Sequence, residues 1–243
     1  MPTNYDTIAE EYKRAKQQPW RLHIEHYALF EMVGDLAGKS VLDLACGEGF
    51  HTRFLKQKGP ARVVGVDISH GMIDLARTEE TQRPLGIDYL VDDVKKLDLH
   101  EQFDLVFAAY LLNYASTKEE LLEMCLAIAR HLKPGCRFVS VNSNPDYTGK
   151  TETMRPYGFT CTASERREGT PLTWTFFLKE GPFEITNYYL SIATHEWALG
   201  TAGLHDSRWH SPTVSPEGLA EFGQDYWAAF LRHKPIIFIE CGK

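Results

Sequence analysis

Between residues 40 and 142 the sequence repeats one unit: a short apolar run, a turn, then a stretch with helical spacing. Ser40-Val-Leu-Asp-Leu-Ala-Cys46 reads as a buried strand, followed by the turn Gly47-Glu48-Gly49 and a helix through Phe54 and Leu55. Arg62 to Asp67 is a second strand with a helix over Gly71 to Arg77, Ile87 to Val91 a third strand, and Phe103 to Ala109 a fourth. A helix from Lys118 to Leu132 is stopped by Lys133-Pro134-Gly135, and Cys136 to Val141 is the fifth strand. Parallel strands need crossovers of this length, and the crossovers are right-handed, which puts helices on both faces. The expected fold class is α/β, doubly wound and mainly parallel.

The flanks read differently. Tyr5, Ile8, Ala9 and Tyr12 fall on one helical stripe. A polar stretch leads to Pro19, and a second helix is expected from Trp20 to Val33, ending at Gly34. After the fifth strand, Trp174, Phe176 and Leu178 alternate with Thr173, Thr175 and Phe177. Glu180-Gly181-Pro182 then leads into a second alternating run from Phe183 to Leu190, which together predict an antiparallel β-hairpin insertion. A helix from about Thr194 to Ala202, a strand near Asp206 to His210, a helix around Leu219 to Arg232 and a strand from Ile236 to Glu240 close the chain. The expected organisation is a helical cap over residues 1–37, a core over 38–150, the hairpin insertion over 151–193, and completion of the core sheet over 194–243.

Composition narrows the function. With 243 residues, 43% of them hydrophobic and 24% charged, the chain can bury a large core and is not a disordered segment. A net charge of −7 argues against broad nucleic-acid binding. The longest apolar run, Leu105 to Leu112, is far short of the ~20 residues of a membrane span. No basic-then-apolar leader opens the sequence, and the five cysteines are scattered and never spaced C-x-x-C, so a cytoplasmic setting is expected. His23/His26 and His205/His210 lack accompanying acidic or cysteine ligands, and no metal site is expected.

In open α/β folds, ligands bind beyond the carboxyl ends of the strands. The first such end carries the Gly47-Glu48-Gly49 turn, where a glycine backbone can approach a ligand that a Cβ would exclude. Asp67 closes the second strand, 20 residues after Gly47, where a carboxylate can accept from a ribose diol, and Asp93 lies further along the same edge. A dinucleotide fingerprint wants a small third residue where this chain has Thr52. Asp43, close to the loop, disfavours a pyrophosphate and suits a cationic ligand such as S-adenosyl-L-methionine.

Val41-Leu-Asp-Leu-Ala-Cys-Gly-Glu-Gly49 resembles the first motif of class I S-adenosylmethionine-dependent methyltransferases. Val63-Val-Gly-Val-Asp67, Asp92-Asp93-Val94, Phe103-Asp-Leu-Val-Phe-Ala-Ala109 and Leu132-Lys-Pro-Gly135 follow in that family's order, over residues 38 to 142. The resemblance implies a seven-stranded Rossmann-like sheet and a cofactor site. Backbone at Ala45 and Gly47 would approach the methionine part, Asp67 the ribose hydroxyls, and Ile68 the adenine face. Asp93 and the Val94 amide would meet the adenine edge, Ala109 would line the methionine and sulfonium, and Tyr12 would close over the cofactor. One departure is Ala45, where many members have glycine; a turn with ordinary backbone angles is therefore expected there.

On the acceptor side, the resemblance implies contacts from Tyr110, Asn113 and Tyr114, directly after the fourth strand. His195 and Tyr114 are candidate bases. Nine of the 41 residues from 157 to 197 are aromatic, against 12% overall, which favours a planar, mostly apolar acceptor. Asn144-Pro145 lacks the aromatic residue of the DNA amino-methyltransferase motif. Pro84 to Tyr89, Ala109 to Ala115 and Ser215 to Gly218 resemble segments of toxoflavin-type azapteridine N-methyltransferases and related natural-product enzymes. The expected function is methyl transfer to a nitrogen or oxygen of a small, planar heteroaromatic metabolite, with neither nucleic acid nor membrane as partner. An NAD(P)-dependent oxidoreductase and a non-catalytic S-adenosylmethionine-binding protein are the alternatives.

Overall fold

The computed structural model describes residues 5–7, 14–148, 151–163 and 165–243. Its central strands are β1 (Ser40–Leu44), β2 (Arg62–Asp67), β3 (Asp88–Val91), β4 (Phe103–Ala109), β5 (Leu132–Ser143), β9 (His205–His210) and β10 (Ile236–Gly242). They form one seven-stranded sheet in the order β3-β2-β1-β4-β5-β10-β9. The first five pair in parallel, and β10 inserts antiparallel between β5 and β9. β1, β2 and β4 bury both faces, which is why their sequences are continuous apolar runs rather than alternating ones.

The helices are α1 (Tyr27–Val33), α2 (Phe50–Gln57), α3 (His70–Gln82), α4 (Lys118–His131), α5 (Ile192–Thr201), α6 (Pro216–Phe222) and α7 (Gln224–His233). Their starts follow side-chain capping: Ser69, Thr117, Ser191 and Ser215 each accept from a backbone N–H of the first turn of α3, α4, α5 and α6. The helix expected from Trp20 to Val33 is present, but Arg21–His26 is wound as a π-helix that runs into α1. Gly34 ends it with φ of 60°.

Two expectations need correction. The insertion is a three-stranded antiparallel sheet, because β6 (Phe159–Ala163) adds to the hairpin of β7 (Pro171–Leu178) and β8 (Gly181–Tyr188). The helix expected around Leu219 to Arg232 is broken into α6 and α7 at Gly223, whose φ of 77° and ψ of 162° no helix accommodates.

The core lies in two layers, one on each face of the large sheet. The small sheet belongs to one of them: Phe159, Trp174, Phe176 and Phe183 pack together with Trp20 from the helix before α1 and Phe230 from α7. On β2, Gly65 leaves room for the Tyr89 ring of β3; a Cβ there would stand 2.9 Å from that ring and 3.0 Å from the Cys46 sulfur.

Candidate active site

A cavity of about 510 Å3 opens at the carboxyl ends of β1, β2, β3 and β4. Ala45, Gly47, Asp67, Ile68, Asp93, Val94 and Ala109 all line it, so the sheet topology brings together seven of the eight cofactor candidates. The eighth, Tyr12, lies outside the described residues.

The turn after β1 is tighter than its sequence suggests. Ala45 takes a left-handed φ of 56°, contrary to the expectation of ordinary angles there. That conformation costs an alanine about 1–2 kcal/mol, and Cys46 N–H donating to the Val66 carbonyl at 3.0 Å helps hold the turn against β2. Gly49 also has a left-handed φ, of 83°, and a Cβ on it would fall 2.4 Å from the Tyr89 hydroxyl oxygen.

Asp67 accepts from the Gly47 N–H at 2.8 Å and from the Ser69 N–H at 2.9 Å. Its carboxylate therefore ties the glycine turn to the end of β2, and burial pushes its pKa up. Ile68, next along, is 65% exposed and leaves an apolar face open on the cavity wall. Asp93 accepts from the Lys95 N–H at 3.1 Å and thereby fixes the turn that follows β3. Asp43 is buried beneath the turn; Thr52 Oγ1 donates to its Oδ2 at 2.6 Å while Oδ1 has no partner. Burial, only partly offset by the Thr52 bond and Lys16, pushes the Asp43 carboxyl up to about 7.

The other end of the cavity holds a buried network that the sequence reading missed. Arg21 Nη1 donates to Glu25 Oε2 at 2.6 Å, Glu25 Oε1 lies 3.2 Å from His51 Nε2, and the Tyr110 hydroxyl donates to Glu25 as well. Burial alone would raise the Glu25 pKa, but Arg21, His51 and Tyr110 outweigh it and hold the carboxyl at about 2. Burial lowers His51, which favours a neutral imidazole with its Nε2–H facing the carboxylate. The Arg21 guanidinium lies over Trp20, 4.3 Å from the ring centroid, and 5.0 Å from that of Tyr110. Lys16 pairs with Glu48 at 2.9 Å beside the glycine turn. The Arg21/Glu25 spacing of one helical turn was the only signal available for this network, and such pairs ordinarily mark a solvated face.

Of the acceptor candidates, Tyr110 and Tyr114 line the cavity, with Tyr5 and Tyr188 beside them. Tyr110 has a left-handed φ of 65°, unusual for a bulky residue, and its N–H donates to the Val141 carbonyl. Tyr5 and Tyr114 meet hydroxyl to hydroxyl. Asn113 is buried and is not a lining residue. His195 is likewise away from the cavity: it sits in the first turn of α5, its Nδ1 is 2.9 Å from the Ser191 carbonyl, and its ring meets Trp209 edge-on. Of the nine aromatic residues between 157 and 197, Tyr188 alone reaches the main cavity. Phe159, Trp174 and Phe176 instead form the small sheet's core and line a water-sized side pocket of about 20 Å3 shared with Arg21, Tyr110 and Tyr114.

A family model described as a methyltransferase domain matches residues 41–135, the segment that runs from β1 through β4 and holds their cavity-lining carboxyl ends. The chain is 27% identical over 173 residues to the N-demethylindolmycin N-methyltransferase of Streptomyces griseus, covering 68% of this chain and 69% of that one. It is 35% identical over 112 residues to a ubiquinone biosynthesis O-methyltransferase of Coxiella burnetii, covering 45% and 46%. The chain carries a methyltransferase domain and is similar to S-adenosylmethionine-dependent methyltransferases.

The aligned sequence spans about half the length of the ubiquinone biosynthesis relative. The fold extends further: the CcbJ methyltransferase of Streptomyces caelestis superposes with a TM-score of 0.70 at 21% identity, covering 99% of this chain and 98% of that one. S-adenosylmethionine is the cofactor of the family, and the residues present fit it. The buried, unpartnered Asp43 oxygen suits a ligand with a cationic end, and the open Ile68 face suits an adenine ring. Among the described residues, no helix is long and apolar enough to cross a membrane, and no cluster of acidic, histidine or cysteine side chains has metal-binding geometry.

Proposed function

We propose that this methyltransferase transfers the methyl group of S-adenosylmethionine to a nitrogen or oxygen of a small, planar heteroaromatic metabolite. The observation that carries the reading is one continuous cavity with the strand-end residues at one end and a tyrosine-lined wall of Tyr5, Tyr110, Tyr114 and Tyr188 at the other. Tyrosine faces favour flat rings, each well-placed pair adding roughly 0.5–1.5 kcal/mol beyond burial. Similarity to the N-demethylindolmycin N-methyltransferase of Streptomyces griseus favours a natural-product acceptor.

In this reading the backbone of Ala45 and Gly47 holds the methionine part, Asp67 takes the ribose hydroxyls, and Ile68 covers the adenine. Asp93 and the Val94 N–H meet the adenine edge, and Ala109 lines the sulfonium. Residues 1–37 cap the site, 38–150 hold the cofactor, 151–193 wall the acceptor, and 194–243 complete the sheet. The bound cofactor supplies an electrophilic methyl group on sulfur. The protein's part is to hold the acceptor lone pair in line and to keep water out, which the buried Arg21–Glu25–Tyr110 network and the apolar wall serve. Tyr114 is the remaining candidate base, since it lines the cavity and its hydroxyl meets that of Tyr5, whereas His195 does not reach the cavity.

A screen of planar heterocycles, phenols, aliphatic amines and sugars, read by S-adenosylhomocysteine release, tests the proposal. Turnover confined to aliphatic amines or sugars overturns the acceptor class. Tight cofactor binding with no turnover across the whole panel favours a non-catalytic binder instead.

A further inference from the structure

We propose that Asp43 is a proton-bearing counter-ion for the cofactor: the cationic methionine end of the ligand displaces a proton from this carboxyl, so that cofactor association releases a proton to solvent. The inference rests on the cofactor reading given above and adds to it a coupling to protons.

Asp43 lies within β1, between Gly65 of β2 and Phe107 of β4, and is 1% exposed in the cavity wall. A carboxylate removed from water needs donors or cations to stay ionised. Asp43 has one donor, the Thr52 hydroxyl of α2 on Oδ2, and Oδ1 has none. The charged groups around it come from every neighbouring element. Glu48 and Asp67 add negative charge from the glycine turn and from the end of β2, and both oppose ionisation. Lys16, from the N-terminal segment, favours ionisation, but it is bridged to Glu48 at 2.9 Å. The Cys46 thiol and the Tyr89 phenol complete the surroundings; burial pushes both up, so both are neutral.

Burial also raises Asp67 in the same wall, but Asp67 accepts two backbone N–H bonds that favour its charged form, where Asp43 has a single hydroxyl donor. The geometry therefore leaves the proton on Asp43, whose carboxyl sits at about 7 in the free protein. S-adenosylhomocysteine carries an ammonium and S-adenosylmethionine adds a sulfonium. Either charge brought to this wall favours the ionised carboxyl, and the balance is carboxylic acid plus cationic ligand giving carboxylate, bound ligand and one proton in water. The neighbouring imidazoles do not compete for this role near neutrality, since burial holds both His51 and His26 below the ordinary histidine range.

The sign follows from linkage. The bound state holds fewer protons than the free state, so affinity rises with pH up to the free carboxyl's pKa and levels above it. The test is calorimetry of S-adenosylhomocysteine binding to the full chain near pH 7 in buffers of different ionisation enthalpy. About half a proton released per site is expected there, declining toward zero by about pH 8.5. The dissociation constant should weaken by up to roughly tenfold per unit as pH falls below about 6. Asp43→Asn keeps the shape and should abolish both effects. Thr52→Val, which removes the donor that favours the charged form, should move the midpoint of proton release to higher pH. Binding with no buffer dependence in the wild type overturns the inference, as does proton release that persists in Asp43→Asn. Absence of S-adenosylhomocysteine binding at every pH would instead overturn the cofactor reading itself.

Discussion

Arg21 and Glu25 meet at 2.6 Å inside the protein, the guanidinium laid over the Trp20 ring and the carboxylate shared with His51 and Tyr110. Glu25→Gln keeps the volume but removes the carboxylate charge beside a buried guanidinium. A loss of about 3–5 kcal/mol is expected in urea unfolding at pH 7. The wild-type carboxyl is held at about 2, below its ordinary value of 4.5, so its contribution is complete above that value and is lost as pH falls toward 2. The stability gap between the two proteins should narrow over this acid range. A gap that stays constant would show that the network's charge does not matter.

Asp67→Asn tests the strand-end carboxylate. The amide keeps the size of the side chain but no longer accepts well from both Gly47 and Ser69. Affinity for S-adenosylhomocysteine should fall by about 2–3 kcal/mol, the scale of hydrogen bonds to a charged acceptor. Unchanged calorimetric affinity in a folded variant removes Asp67 from the cofactor site.

Removal of residues 1–14 leaves all ten strands of the described residues in place, so circular dichroism should report an intact sheet. Cofactor affinity should drop nonetheless. Tyr5 is lost from the cavity wall, together with the Asp6 carboxylate that accepts from the Ser69 hydroxyl at 2.5 Å and the Gly71 N–H at 2.9 Å. Asp6→Ala alone should give part of the same loss. Full affinity in the truncated protein means that this segment does not cover the site.

Gly49→Ala should cost about 2–5 kcal/mol, combining a left-handed backbone with a Cβ driven into Tyr89. Tyr89→Phe on its own should be neutral or stabilising, because the buried hydroxyl it removes has no partner. In the Tyr89→Phe background the alanine should cost less, and a double-mutant cycle in urea measures that coupling. Strict additivity would mean that the backbone, not the contact, sets the cost.

The parts of the fold that were legible in the sequence are those dictated by a local pattern. β2 and β4 were read with the observed ends because buried parallel strands are apolar throughout, and the carboxyl ends of β2, β3 and β4 then gathered Asp67, Asp93 and Ala109 in one cavity by topology alone. Strand β6 escaped because its five residues alternate weakly, and Thr160, on the polar side of that alternation, is itself buried. The Gly223 break escaped because a single glycine inside a helical pattern is usually tolerated. Ala45 shows the limit of the reverse argument: the chain accepts an unfavourable angle where the loop demands it. Lys16 with Glu48, and His51 with Glu25, are pairs distant in sequence that no periodicity announces. His195 misled because proximity to an insertion in sequence says little about which face of a helix meets a cavity.

The Tyr89 ring fills the space left by Gly65 and Gly49, with the Cys46 sulfur bordering the same space. These positions sit on two strands and a loop, yet they share a single volume, so an evolutionary lineage cannot revise them one at a time. A homologue with a side chain at 65 should carry something smaller than tyrosine at 89, and a shrunken residue at 89 should leave only the left-handed backbone to demand glycine at 49. Transplanting the glycine loop into another scaffold therefore means carrying over the edge strand's aromatic slot as well.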